Sequence, residues 1–197
     1  MKKSPHSLAF IALGSNLGDS LTNVQRAMEW LEALSARPLV CSTLWRTTPV
    51  DCPAGSPDFV NAVVGLWPRR GETPETLLAK LQAVEQEFGR QPKQVLNEPR
   101  PLDLDLIAWG DKRRHSKALT LPHPRTQERK FVLQPLAEIA PDLVLPGQTE
   151  TVFQLLAGMA SGCAAGGAVG ATEREGRLKR GTETGGRSSA CSSPVPA

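Results

Sequence analysis

The chain has 197 residues, of which 40% are apolar and 22% charged, with a formal net charge of +3. That length suits one domain with a sizeable core plus a tail and argues against two full domains. Residues 171–197 hold five Lys/Arg against three Glu, so +2 of the charge lies there and only +1 in the rest; such a balance demands neither nucleic acid nor an anionic membrane, and the absence of any run of about 20 apolar residues excludes a spanning helix.

Lys2 and Lys3 precede the apolar run Leu8 to Leu13. The run is short for a secretory signal, lacks a small-x-small site after it, and breaks at once into Gly14-Ser15-Asn16, so it reads as a buried first strand. Gly14 to Asp19 is then a turn, Asp19 or Ser20 a helix cap, and Leu21, Val24, Ala27, Met28, Leu31 and Leu34 an amphipathic helix over 21–34. Val40 to Thr47 reads as a second strand. Thr48 to Asp58, with three prolines and a glycine, is a loop, and Phe59 to Trp67 a third strand. Thr73 caps a second helix with Pro74 at its first position. Its stripe is Leu77, Leu78, Leu81, Val84, Glu85 and Phe88, and Gly89 closes it. Arg90 to Pro101 is a long polar loop. Leu102 to Trp109 alternates as a fourth strand. Strand, helix, strand, strand, helix, strand predicts an α+β, ferredoxin-like βαββαβ fold, an antiparallel sheet with helices on one face. Leu119 to His123 is a loop or short strand, residues 127–139 a helix interrupted by Pro135, 143–145 a small extra strand at best, and 151–159 a short helix. From Ala160 onward Gly, Ala, Ser, Glu and Arg show no apolar period. The expected division is a domain over 1–159 and a disordered low-complexity tail over 160–197, and deletion of 162–197 is expected to leave activity and melting temperature nearly unchanged.

The four cysteines form no CxxC pair and no Cys/His metal spacing, which reads as free thiols in a reducing compartment. With no other address visible, the expected location is cytoplasmic.

Asp103 and Asp105 share one face of the fourth strand, about 6–7 Å apart, while Leu102, Leu104 and Leu106 face the core. Two carboxylates on a rigid element form a seat for Mg²⁺ ions that bridge triphosphate oxygens. Alone, the pair fits a sheet whose second face is simply wet better than it fits a metal seat. The loop before it brings Arg90, Lys93 and Arg100, and an arginine's guanidinium fork matches phosphate oxygens. His123, between Pro122 and Pro124, heads a second basic cluster with Arg125, Arg129 and Lys130. Gly14 to Asp19 is neither a Walker A loop nor GxGxxG.

Five blocks in order resemble the 6-hydroxymethyl-7,8-dihydropterin pyrophosphokinase family. They are Ile11-Ala12-Leu13-Gly14-Ser15-Asn16-Leu17-Gly18-Asp19, Trp45-Arg46-Thr47-Thr48-Pro49, and Pro57-Asp58-Phe59-Val60-Asn61-Ala62-Val63. Then come Glu98-Pro99-Arg100-Pro101-Leu102-Asp103-Leu104-Asp105-Leu106-Ile107 and Leu119-Thr120-Leu121-Pro122-His123-Pro124-Arg125, followed by Arg129 and Phe131. The resemblance implies a diphosphotransferase of folate biosynthesis in which the pterin hydroxymethyl oxygen attacks the β-phosphorus of ATP and AMP leaves. It implies that Asp103 and Asp105 hold two Mg²⁺ ions, that Arg90 and Arg100 stabilise phosphate charge, and that Leu106, His123 and Arg129 serve the nucleotide. Asn61 would read the pterin edge, Phe59 and Phe131 would stack on its faces, and Thr47, Thr48 and Val50 would meet it alongside. ATP and the pterin are then the partners, with no nucleic acid or membrane, and the chain is expected to be a monomer. Where some members carry a second loop arginine this chain has Pro92, and where some carry Arg-Trp it has Leu96 and Asn97. Two other classes remain as alternatives: a non-catalytic pterin or nucleotide binder, suggested by that altered loop, and a ferredoxin-like nucleic-acid module, disfavoured by the near-neutral core.

Overall fold

The computed structural model describes residues 8–50, 52–90, 98–162 and 176–178. Strand β1 (Ala9–Ser15) is buried at every position. A strand covered on both faces reads as a continuous apolar run rather than an alternating one, and that is how this segment is written. Helix α1 (Ser20–Leu34) starts where the Asp19 carboxylate accepts the Thr22 backbone N–H at 3.2 Å. It buries Val24, Ala27 and Leu31 against the sheet. Removing a fully buried leucine such as Leu31 would cost about 2–5 kcal/mol.

The single strand expected over 40–47 is two: β2 (Val40–Cys41) and β3 (Leu44–Thr47). The break lies at Ser42, whose Oγ accepts the Val63 N–H at 2.9 Å and so replaces a backbone partner. Strand β4 (Phe59–Leu66) follows. Helix α2 (Pro74–Glu87) begins with a reciprocal Thr73/Thr76 capping box and ends before Gly89, which takes φ 84°. Strand β5 (Asp103–Trp109) leads to a small hairpin of β6 (Arg114–His115) and β7 (Thr120–Leu121). A 3₁₀ turn (Thr126–Glu128) precedes α3 (Lys130–Ile139), which accommodates Pro135. Helix α4 (Val152–Gly162) and a short strand β8 (Gly176–Leu178) complete the described elements.

The main sheet runs β5-β1-β4-β3-β8, with β2 also on β4, and each pairing is antiparallel. Counting β2 and β3 as one broken strand, the order is fourth, first, third, second, the ferredoxin-like arrangement. The helices differ from expectation in one respect, because both faces of the sheet are covered. Ile11, Leu13, Val64, Leu66 and Leu106 pack under α1 and α2. Phe10, Val63, Ile107 and Ala108 pack under Val132, Leu133 and Leu136 of α3 and Val152 of α4. A bulge in β5, where Phe10 pairs with Ala108 but Ile11 with Leu106, turns both Ile107 and Ala108 to that second face.

The expected boundary at residue 159 falls inside α4. Three residues of the expected tail, Gly176–Leu178, pair with the outer edge of β3; the rest of 160–197 beyond Gly162 lies outside the described residues. Composition predicts whether a segment can bury apolar surface, not whether its backbone can satisfy an open sheet edge. Cys41, on β2, is disulfide-bonded, against the expectation of thiols; cysteine spacing carries no information on which side chains the fold brings together. Among the described residues no helix is long and apolar enough to cross a membrane.

Candidate functional site

Helices α3 and α4 cover only one end of the second sheet face. At the other end the register sets Asp103, Gly14, Asn61 and Trp45 in one row, with Asp105 beside Ala12 in the next. A cavity of about 350 Å³ opens over these rows. Its floor holds Gly14, Asn61 and Thr47, and Phe59 and Phe131 line it as well. Asn61 Nδ2 donates to Thr47 Oγ1 at 2.7 Å in a buried pair, so the amide is fixed in orientation. Asn16, buried in the turn after β1, accepts the Arg100 N–H at 2.9 Å on Oδ1 and donates to the Pro57 carbonyl at 3.3 Å. It thereby ties the loop before β5 to the loop before β4 across the mouth of the site.

At the other end of the cavity the charges meet. Asp103 pairs with Arg90 and Arg100, each at 2.9 Å, and Asp105 pairs with Arg129 at 3.1 Å. The Arg100 guanidinium also lies 5.8 Å from the Phe59 ring centre, and that of Arg129 5.5 Å from Phe131. Arg100 Nε is buried and has no hydrogen-bond partner among the described residues. A buried donor of this kind fits an anion arriving in the cavity.

Arg90 lies outside the main cavity, behind Asp103, in a neighbouring hollow with Leu78, Gln82, Glu85 and Leu104. His123 is half-buried beside Asp105 and Arg129. Burial lowers its pKa, with Arg129 and Arg125 pushing the same way and Asp105 opposing. Its Nδ1 accepts the Arg125 backbone N–H at 3.4 Å, which leaves Nε2 as the N–H donor. Leu106 turns its side chain into the core. On β5 the Leu104 N–H points away from β1, to Glu85, and strand alternation directs the Leu106 backbone the same way. Any contact of Leu106 with a ligand is therefore through its main chain. Thr48, Val50 and Cys52 form the remaining wall. Lys93, Pro92, Leu96 and Asn97 lie outside the described residues.

Sequence reading missed Glu85. This carboxylate, on the buried stripe of α2, accepts the Leu104 N–H at 2.7 Å and pairs with Arg90. Burial raises its pKa to about 7, with Asp103 and Asp105 adding to the rise and the Leu104 N–H and Arg90 opposing it. The signal was available, since a glutamate among Leu77, Leu81 and Val84 contradicts an apolar face.

Residues 10–141 match the family model of 7,8-dihydro-6-hydroxymethylpterin-pyrophosphokinase (HPPK). The chain belongs to the HPPK family. It is 42% identical over 149 residues to a 2-amino-4-hydroxy-6-hydroxymethyldihydropteridine pyrophosphokinase of Synechocystis sp., covering 75% of this chain and 74% of that one. A Pseudomonas aeruginosa HPPK of the same name is 41% identical, over 70% of this chain and 83% of its own. Wild-type HPPK-DHPS from Plasmodium falciparum superposes with a TM-score of 0.61 at 14% identity, over 82% of this chain. That likeness supports the fold alone. This chain spans 47% of that bifunctional protein, so only an HPPK-like portion is shared.

The donor set at the charged end suits Mg²⁺. The ion takes one or two carboxylates and completes its shell with substrate phosphates and water, and Asp103 and Asp105 supply the two carboxylates beside an unpartnered Arg100 donor. No cluster of three or more His/Cys/Asp/Glu ligands occurs among the described residues, so those residues alone make no closed metal cage.

Proposed function

We propose that this chain moves a pyrophosphoryl group from ATP to the hydroxymethyl oxygen of 6-hydroxymethyl-7,8-dihydropterin, releasing AMP, with two Mg²⁺ ions held by Asp103 and Asp105. The observation that carries the reading is a single cavity that joins an aromatic and amide half to a carboxylate and guanidinium half. Phe59 and Phe131 suit the faces of a flat heterocycle, and Asn61, held by Thr47, suits its polar edge. Bound at Asp103 and Asp105, the metal would neutralise the triphosphate and polarise its β-phosphorus.

The remaining roles belong to protein groups. With a cation held by Asp103 and Asp105, the guanidiniums of Arg100 and Arg129 beside them would face phosphate oxygens, and Arg90, still anchored by Glu85, would lend its charge from behind Asp103. Charge spread over the transferring group is stabilised there by donors already in place. Nε2 of a neutral His123 donates to a phosphate or purine acceptor without adding a further positive charge. The outward main-chain groups of Leu106 offer an edge for the adenine.

The test is an assay with purified chain, ATP, Mg²⁺ and the pterin, with nucleotide products resolved. Stoichiometric AMP and pterin pyrophosphate are expected. ADP would place the attack on the γ-phosphorus and overturn the mechanism, and no turnover with intact pterin binding would overturn the catalytic reading.

A further inference from the structure

Glu138 lies outside the cavity, near the end of α3, yet it is one of the most engaged carboxylates in the fold. Its Oε2 accepts the Thr43 backbone N–H at 2.7 Å, and Oε1 accepts the Trp45 indole N–H at 3.0 Å. The Thr43 hydroxyl lies 2.8 and 2.9 Å from the two oxygens. One side chain therefore uses both oxygens to bolt α3 to the start of β3.

The two elements it joins carry opposite sides of the aromatic half of the site. On α3, Phe131 precedes Glu138 by seven residues, two helical turns, so both lie on the same face of the helix. On β3, Trp45 is in register with Asn61 and Thr47 with Phe59. Thr47, two residues beyond Trp45, is the group that orients Asn61. The spacing between Phe131 on one side and Phe59 with Asn61 on the other thus depends on how α3 sits on β3. The charged half depends on that seating much less, because Asp103 and Asp105 stand on β5 and Arg90 and Arg100 flank the loop before it, so that only Arg129, at the start of α3, is shared.

We propose that Glu138 is a positioning residue for the heterocycle half of the site, fixing the slot between Phe59 and Phe131 without touching the ligand. This rests on the pterin reading above. Glutamine in its place keeps one acceptor oxygen but presents an NH₂ to Thr43 or Trp45, so the clamp loses a charge-assisted contact and gains a donor–donor clash. α3 then settles differently on β3, and the slot loses its width.

The experiment is calorimetric titration of full-length chain with 6-hydroxymethyl-7,8-dihydropterin, its nucleotide site saturated with Mg²⁺ and a non-hydrolysable ATP analogue. The nucleotide is titrated separately. Glu138→Gln is expected to weaken pterin binding about tenfold, the scale of one charge-assisted hydrogen bond, and to leave nucleotide affinity within about twofold. Steady-state KM for the pterin rises in parallel, with kcat near wild type. Trp45→Phe removes one donor and leaves the carboxylate intact; it should shift pterin affinity in the same direction by less, and it carries the test if Glu138→Gln does not fold. Equal losses for both ligands, or no loss for the pterin, would overturn the inference. Failure of the functional reading is separately visible, as a wild-type chain that takes the nucleotide but not the pterin.

Discussion

Gly14 offers the sharpest test of where the heterocycle sits. It occupies β1 between Asn61 on β4 and Asp103 on β5, and it is not among the glycines with positive φ. On backbone grounds alone, Gly14→Ala should be neutral or stabilising, by about 0.5–1 kcal/mol, because alanine loses less entropy in a strand. The space above it says otherwise. A Cβ there would stand 3.0 Å from Asn61 Oδ1 and 3.7 Å from Phe59 Cδ1. The second distance is ordinary contact. The first requires Asn61 to give by a few tenths of an ångström, and Asn61 is held by its 2.7 Å bond to Thr47.

Inserting a methyl into such a place costs roughly 1–3 kcal/mol, so the net effect on folding should be small, about 0–2 kcal/mol. The effect on binding should be larger than that balance implies. Asn61 must either leave Thr47 or tilt in the slot. Each hydrogen bond it then fails to make to a heterocycle edge is worth about 0.5–1.5 kcal/mol, and the loss of two corresponds to roughly tenfold or more in affinity. Thermal melts and calorimetry on Gly14→Ala, titrating pterin and Mg²⁺-nucleotide separately, read the two quantities apart. A variant that binds the pterin as tightly as wild type would refute the placement of the heterocycle over Gly14 and Asn61.

Asp105→Ala removes a proposed metal ligand and strands the Arg129 guanidinium; turnover is expected to fall below detection at saturating Mg²⁺, and a variant near wild-type rate would exclude the ligand role. Glu85 gives a pH signature. Its pKa, raised from 4.5 to about 7, means that the folded chain holds a proton the unfolded chain has released, so this group's contribution to stability falls as pH rises from about 4.5 to about 7 and is flat above. The gap corresponds to roughly 3 kcal/mol at most. Urea midpoints at pH 5, 6, 7 and 8 should show that decline in wild type and lose it in Glu85→Gln, and an identical slope in both would assign the decline elsewhere. Ending the chain after Gly162 removes β8 and bares the outer edge of β3. The melting temperature should drop by about 2–4 °C for each kcal/mol of lost pairing, with concentration-dependent association through the open edge, whereas an unchanged melt would bear out the expectation of a dispensable tail.

The parts of this protein that follow a period were legible in its sequence. Asp103 and Asp105 fall on one face because strand side chains alternate, and the Asp19 and Thr73 caps follow from the chemistry of unsatisfied helix N–H groups. The parts that depend on distant partners were not. The break at Ser42 exists because its hydroxyl meets Val63, and the second layer of helices exists because Phe10, Val63 and Ile107 share a face that only pairing reveals. The unbroken apolar run from Leu8 to Leu13, most of it in β1, was the available sign of that layer, since a strand with a wet face would have alternated. Glu85 and Glu138 belong to a third kind. Glu85 is a charged residue on a buried stripe that packing alone would fill with a hydrophobe, Glu138 a half-buried one near the end of α3, and each accepts a hydrogen bond from a strand that bears site residues: Glu85 from β5 and Glu138 from β3. A local inconsistency between pattern and residue type is costly to fold, so it persists where something other than stability depends on it. In this chain both carboxylates lie behind the cavity, one beside each half of the site.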